Sequence, residues 1–366
     1  MKISARREAI LSPLQAVIGV VERRQTMPIL ANVLVSAKGG RLSVTATDLE
    51  VELVATSEVD VQRNGEVTVP GRKLFDICRA LPEGTEINMT LDGERMIVRA
   101  KRSRFTLSTL PAPEFPTVDE ISAGQTLQLP QKDFKKLLEK THFSMAQQDV
   151  RYYLNGLLLE TSSKILRSVA TDGHRLAMCE VGLDDGSKTG QQVIVPRKGV
   201  LELQRILSGE DQALDIAIGS SHIRVQIGDI RFTSKLIDGR FPEYSRVIPV
   251  KPPHIVTAVR DDLRHALQRA AILSNEKYRG IRFAVKTNAL VIQAHNPEQE
   301  EAEEELEVSY DGDAMEIGFN VNYLLDALSA IDGPEVQIGL TDGNSSCLIR
   351  STSEEGCSFV VMPMRL

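Results

Sequence analysis

Within the stretch TDGHRLA, Thr171 to Ala177, a carboxylate, an imidazole and a guanidinium stand almost side by side at Asp172, His174 and Arg175. These types could serve as general base, proton shuttle and anion holder, and with more carboxylates they could hold a metal ion for hydrolysis. The carboxylates on offer are in NPEQEEAEEELE, from Asn296 to Glu307, a run whose default reading is a solvated loop. No second carboxylate and no Ser or Cys nucleophile stands beside the cluster at a recognisable spacing, as a self-contained catalytic centre requires. A further TDG at Thr341 to Gly343 shows how readily the tripeptide arises.

The elements that must position this cluster occur three times. RLSVTATDLEVEL from Arg41, ILRSVATDGHRLA from Ile165 and ALVIQAHNPEQEE from Ala289 superpose, with Ala46, Ala170 and Ala294 spaced by 124 residues and Leu42, Leu166 and Leu290 at the same interval. The alternating apolar pairs Val33/Val35, Leu157/Leu159 and Ile281/Phe283 keep the register and mark half-buried strands. Downstream, the series Leu74, Val200, Leu324, then Asp76, Glu202, Asp326, then Phe105, Phe232, Phe359 continue at intervals between 124 and 127. Three copies of one domain, at 1–122, 123–249 and 250–366, therefore fill the chain, joined by the proline-bearing connectors LPAPEFPTVDEISAG and RFPEYSRVIPVKPPH. Asp48 and Asn296 stand where Asp172 stands, so the cluster reads as a strand and its turn, and its chemistry is not preserved between copies.

Each copy reads as helix, strands, helix, strands. REAILSPLQAVIGVVERR, QKDFKKLLEKTHFSM and RDDLRHALQRAAILS carry apolar residues at spacings of three and four, and a second helix opens at Arg72, Arg197 and Asn320. The Asp-Gly in INMTLDGERMIVRA predicts an antiparallel hairpin. The fold class is α+β, with two helices packed on antiparallel sheets in each repeat.

At 366 residues and 42% apolar content each copy can bury a core, whereas 4% aromatics and no Trp leave few rings for a base-stacking surface. Cys78, Cys179, Cys347 and Cys357 form no C-x-x-C spacing and MKISARREAI lacks the apolar core of a signal peptide, which predicts a reducing cytoplasm. Every apolar run falls short of a membrane span. The net charge of −7 argues against nucleic acid until it is divided: five of the six helical segments carry +2 and the sixth −1, a total of +9, which leaves −16 for the rest. Basic helices and acidic sheets suit a protein that turns its helices toward a polyanion and meets phosphates without reading sequence. For any single helix, a solvated charged face explains the same residues.

Long strings identify a relative: TDLE, RKLFDICRALPEG, RSRFTLSTLPA, DVRYYLNG, VATDGHRLA, VIVPRKG, FTSKLIDGRFPEY, RAAILSNEKYRG, NPEQEEAEE, MEIGFNV and VVMPMRL. On these the chain resembles, from Met1 to Leu366, the bacterial DNA sliding clamp family, the beta subunit of DNA polymerase III. The resemblance implies a head-to-tail homodimer, a six-domain ring with helices lining the hole and sheets forming the rim. It implies a non-enzymatic processivity factor of the cytoplasm, without cofactor, metal or membrane. Its partners would be duplex DNA held topologically, the polymerase III catalytic subunit, the clamp loader, and other polymerases and repair proteins carrying clamp-binding peptides.

The implied partner-peptide cleft uses Leu154, Thr171, Gly173, His174, Arg175 and Leu176, then Pro242, Arg246 and Val247, then Ser346, Val360, Met362, Pro363, Met364 and Arg365. Leu176 would supply apolar contact, His174 and Arg175 polar edges, and Met362 and Met364 adaptability to several peptides. The implied DNA contacts are Arg24, Arg72, Lys73, Gln148, Tyr152, Tyr153, Arg197, Lys198 and Arg205, although the two tyrosines also read as packed strand residues. Ring closure would set Ile272 and Leu273 against Phe105 and Leu107 of the other subunit. The segments Lys188 to Gln192 and Thr352 to Gly356 share no wording with the family. Competing readings are a metal-dependent hydrolase built on Asp172, His174 and the glutamate run, and a scaffold that never touches DNA.

Overall fold

The computed structural model describes residues 1–21, 27–118, 124–183 and 190–365. The first copy contains β1 (Lys2–Arg6), α1 (Arg7–Val17), β2 (Asn32–Lys38), β3 (Arg41–Thr47), β4 (Val51–Glu58), β5 (Asp60–Arg63), β6 (Gly65–Pro70), α2 (Gly71–Ala80), β7 (Glu86–Asp92), β8 (Arg95–Ala100) and β9 (Ser103–Ser108). The second contains β10 (Gln125–Pro130), α3 (Gln131–Glu139), β11 (Gly156–Ser162), β12 (Ile165–Thr171), β13 (Arg175–Gly182), β14 (Gln191–Pro196), α4 (Arg197–Ile206), β15 (Ala213–Ile218), β16 (His222–Ile227) and β17 (Ile230–Lys235). The third contains β18 (His254–Val259), α5 (Arg260–Ile272), β19 (Gly280–Lys286), β20 (Ala289–His295), β21 (Glu301–Glu307), β22 (Met315–Asn320), α6 (Val321–Ala330), β23 (Glu335–Leu340), β24 (Cys347–Ser351) and β25 (Cys357–Val361).

All six expected helices are present, and each copy also opens on a strand that the helical reading passed over: β1, β10 and β18 run straight into α1, α3 and α5. Prolines mark three of the strand-to-helix handovers, Pro70, Pro130 and Pro196, where a residue with fixed φ and no N–H suits a strand end that leads into a helix. The helices bury one stripe: Ile10, Pro13, Leu14 and Val17 in α1, and Leu263, Ala266, Leu267 and Ala270 in α5, at the same spacing. Val33, Val35, Leu157, Leu159, Ile281 and Phe283 are all buried on their strands.

The chain divides into two compact units, Met1–Lys132 with Lys198–Leu236, and Asp133–Arg197 with Ile237–Leu366. The first holds a sheet ordered β5-β1-β7-β8-β9 and an eight-stranded sheet β10-β15-β16-β17-β4-β3-β2-β6. The second holds the eight-stranded sheet β14-β11-β12-β13-β25-β24-β23-β18 and a sheet β21-β20-β19-β22. Each eight-stranded sheet joins strands of two copies, at β17–β4 in the first unit and at β13–β25 in the second. The central copy is thereby shared between the two units.

One expectation changes, and one pairing appears that the sequence does not announce. The glutamate run is an edge strand: in β21, Ala302, Glu304 and Leu306 are half-buried, while Glu301, Glu303, Glu305 and Glu307 face solvent. Arg269 of α5 bonds Glu304 at 2.6 and 2.8 Å, and the hydrogen bond holds that carboxyl below its usual pKa. Cys179 and Cys357, 178 residues apart, face each other across β13 and β25 with their sulfur atoms side by side. Sequence spacing carries no trace of this pairing, because a ladder between two copies creates it. Among the described residues no helix is long and apolar enough to cross a membrane.

Candidate functional site

The β12–β13 turn explains the cluster that first suggests catalysis. Asp172 Oδ1 accepts the backbone N–H of His174 (2.9 Å) and of Arg175 (3.1 Å), while the Thr171 hydroxyl donates to Arg175 O (2.6 Å) and accepts the N–H of Gly173 (3.1 Å). The first copy repeats the arrangement: Asp48 Oδ1 accepts from Glu50 and Val51, and Thr47 donates to Val51 O and accepts from Leu49. In the third copy Asn296 Oδ1 accepts the N–H of Glu300. The residue types that the three sequences share at this point are those that close a turn by side-chain bonding.

Arg175 is likewise committed. Its guanidinium bonds Asp172 (3.1 Å), Phe143 O (2.7 Å) and Asp326 of α6, and it lies 4.6 Å from the Tyr323 ring centroid. It ties β13 to α6 rather than reaching outward. His174 is exposed, and its carbonyl accepts the N–H of Met362 at 2.9 Å. Among the described residues no group of three or more His, Cys, Asp or Glu could hold a metal ion.

Beside this turn one face of the second unit's large sheet carries an apolar cluster of Leu158, Val169, Leu176, Ile194, Phe241, Leu348 and Val360. The sheet register makes it: Leu176 faces Val360 across β13–β25, and Val360 faces Leu348 across β24. Tyr153, Met178, Ile237, Tyr244 and Ile248 pack at its margin, so the connector after β17 lies over part of the face. Val247 and Pro242 are exposed on that connector, and Ser346 Oγ donates to Val247 O at 3.4 Å. After β25 the tail passes the turn, with the Met364 N–H donating to Gly318 O at 2.8 Å; Met362, Pro363 and Met364 are half-buried, and Arg365 and Arg246 are exposed. Leu154 and Thr171 are buried. The turn, the connector and the tail thus border one buried apolar cluster.

The first unit shows why the corresponding junction differs. In the repeat register Glu52 stands at the position of Leu176 and Thr233 at that of Val360, and these two pair across β4–β17. Glu52 is 1% exposed, and its Oε2 accepts the N–H of Val118 at 2.9 Å, which ties the first connector to the sheet. Burial pushes its pKa up, with Val118 and Arg231 opposing. A carboxyl raised in the folded state contributes stability that is present below its unfolded pKa and lost as pH rises through the folded value. A Glu52→Gln protein, which does not titrate there, should therefore melt at or above the parent temperature near about pH 8, with the difference closing toward about pH 4. A gap that widens on acidification would contradict the buried-acid account.

The basic positions are less free than their sequence suggests. Arg72 Nη2 donates to Val21 O (2.7 Å), Lys198 pairs with Asp48, and Arg205 bonds Gln15 O (3.0 Å), Ala16 O and Glu202. Lys73 and Gln148 are exposed, Tyr152 is 57% exposed and Arg197 half-buried. Tyr152 and Tyr153 lie in a 3-10 turn rather than a strand, and Tyr153 packs on the apolar cluster. Arg24 and Lys188 lie outside the described residues. Of the closure residues, Ile272 is 75% exposed, Leu273 and Phe105 are half-buried, and Leu107 is buried. Sequence reasoning missed Tyr244 and the sheet residues beneath it; their alternation along β11 to β13 was the available signal.

Three family descriptions match successive parts of the chain: the N-terminal domain of the DNA polymerase III beta subunit over residues 1–119, its central domain over 128–243 and its C-terminal domain over 245–365. The chain is 53% identical to a beta sliding clamp of Pseudomonas putida and 54% identical to one of Escherichia coli, in each case over 100% of both chains. It is similar to the crystal structure of a sliding clamp from Pseudomonas aeruginosa bound to griselimycin, with a TM-score of 0.98, 53% identity and 100% coverage of both chains.

Proposed function

The chain belongs to the DNA polymerase III beta subunit family, and on that premise we propose that it is a processivity factor: two copies close head to tail into a ring that encircles duplex DNA and tethers the polymerase through the groove on β13 and β25. One observation carries the ring. Among the described residues β9 ends its sheet at an unpaired edge with Arg104 exposed on it, Lys101 and Arg102 exposed on the turn before it and Arg95 and Arg99 exposed on the neighbouring β8, and β21 ends its sheet at an unpaired edge of exposed glutamates. An open strand edge invites another strand, and opposite charge selects which one. A contact between unlike edges is heterologous, and with two copies it closes. Three domains, at 1–122, 123–249 and 250–366, then contribute twice to the ring.

In this reading the +9 of the helical segments faces DNA phosphates, with Lys73, Arg197 and Tyr152 among the contacting groups, while the acidic remainder keeps the protein from sticking to DNA by attraction. The groove takes short peptides with apolar anchors from the polymerase III catalytic subunit, the clamp loader and other polymerases and repair proteins. Griselimycin, which the Pseudomonas aeruginosa relative binds, would enter this groove in the present protein. The protein acts in the cytoplasm, without catalysis or cofactor.

The test separates topology from ion pairing. Phosphate binding alone weakens by orders of magnitude as salt rises, about 10³ to 10⁵ for six to ten contacts between 50 and 200 mM. Protein loaded on a nicked circle should survive high salt and leave when the circle is cut. Protein that leaves an intact circle as fast as a linear fragment would rule the ring out.

A further inference from the structure

On the face that carries the groove, the apolar cluster gives way to a polar belt. Moving two residues along each strand replaces Leu158 by Glu160 on β11, Val169 by Arg167 on β12 and Met178 by Glu180 on β13, so the belt continues the same face. Register sets these residues next to one another: Glu160 opposite Arg167, Arg167 opposite Glu180, and Gln192 of β14 opposite Glu160. Arg167 Nη1 donates to Glu160 Oε2 at 2.7 Å and its Nε to Glu180 Oε1 at 2.5 Å, while Gln192 Nε2 donates to Glu160 Oε1 at 2.6 Å. Into this belt the connector sends one group. The Tyr244 hydroxyl donates to Glu160 Oε2 at 2.5 Å and accepts from Arg167 Nη1 at 2.7 Å, while the ring stays on the apolar cluster.

Tyr244 opens the 3-10 turn Tyr244–Arg246, and the Val247 N–H donates to Tyr244 O at 3.1 Å. Among the described hydrogen bonds, the connector is tied to the sheet at Ile237, whose N–H donates to Ile194 O, and next at the Tyr244 hydroxyl; the Ser346 bond to Val247 O follows at 3.4 Å. A phenylalanine over aliphatic residues would cover the face as well, and a half-buried ion pair is weak evidence for stability. What the belt adds is a fixed position along the sheet.

We infer that Glu160 and Arg167 form a positioning device: they hold Tyr244 by its hydroxyl and thereby set the connector wall, Val247 with Arg246, against which a bound peptide packs. The inference rests on the groove being the peptide site. Burial and the hydrogen bond to Glu160 push the Tyr244 hydroxyl up to about 12, so the proton that makes the tie is present at any physiological pH.

Griselimycin serves as the probe, titrated calorimetrically into the full-length protein, with melting temperature followed in parallel. Tyr244→Phe, which removes only the hydroxyl, should weaken binding about tenfold with little change in melting, as should Glu160→Leu. Glu160→Gln keeps an acceptor and should recover most of the loss. Because both variants act through one tie, the double variant Tyr244→Phe with Glu160→Leu should bind no more weakly than Tyr244→Phe alone; additive losses would overturn the device. A protein lacking Met362 to Leu366 separates the two levels. If that truncation abolishes binding while Tyr244→Phe binds like the parent, the positioning role is wrong and the groove stands. If the truncation binds like the parent, the groove itself is wrong.

Discussion

A protein truncated after Val361 is expected to fold, to remain a dimer, and to lose capture of the polymerase III catalytic subunit by more than about a hundredfold. The fold should survive because β25 ends at Val361 and its core contributors, Phe359, Val360 and Val361, are retained at 2%, 0% and 1% exposure. What is removed includes the half-buried Met362, Pro363 and Met364, with two described backbone bonds, from Met362 to His174 O and from Met364 to Gly318 O. The loss of binding should be large because peptide anchoring concentrates in a few desolvated contacts, where about 2 kcal/mol or more attaches to single side chains. Leu176→Asp is the less informative variant. Leu176 is 2% exposed within the apolar cluster, so an aspartate there would bury an unpaired carboxylate and confuse misfolding with lost contact. Calorimetry with the isolated catalytic subunit checks the truncation, and parental affinity would remove the tail from the site. Rising salt should change this affinity little, unlike any binding that depends on the exposed Arg246 or Arg365.

Much of the architecture is legible because it is written three times. A period of 124 between Ala46, Ala170 and Ala294 needs no propensity argument, and the buried stripes of α1 and α5 follow from spacing alone. What escapes is what depends on partners far away in sequence. KISAR, QTLQLP and HIVTAV are short and sit directly before strong helices, so local pattern assigns them nothing, yet β1 pairs β7, β10 pairs β15 and β18 pairs β23. The run EAEEELE has the composition of a loop, and β20 makes it a strand by pairing with every residue from Glu301 to Glu307.

The site divides in the same way. Turn chemistry identifies Thr171 and Asp172, but only the β13–β25 ladder reveals that Leu176 meets Val360. Once the repeat register is laid on the ladders, the unequal junctions are explained by single residues: a leucine at 176 leaves an apolar floor, and a glutamate at 52 is tied to Val118. Charge counting places +9 on the helical segments but cannot see that Arg72, Lys198 and Arg205 are engaged with Val21, Asp48 and the carbonyls ending α1. A cation that bonds protein still contributes field, so its role toward a polyanion is long-range before it is contact.

The largest effect expected on assembly is from Ile272→Ala combined with Leu273→Ala. Ile272 closes α5 with 75% of its surface exposed, an exposure of a large aliphatic side chain that a closed head-to-tail contact would remove. Truncating a buried Ile or Leu to Ala costs about 2 to 5 kcal/mol when the site is well packed. A ring of two chains contains this contact twice, so the double substitution removes four side chains per dimer. Even at the low end the sum is about 8 kcal/mol, or roughly six powers of ten in dimer dissociation, which moves any ordinary dimer into the monomeric range at micromolar concentration. In the monomer Ile272 is largely outside the core, so its loss should leave melting nearly unchanged, and Leu273, half-buried, should cost less than a core residue. Charge should matter less: the exposed arginines around β9 and the glutamates of β21 are screened, so raising salt should loosen the dimer by far less than the two alanines. Sedimentation at low micromolar concentration decides it, and a double variant that still sediments as the parental dimer would show that ring closure does not run through the end of α5.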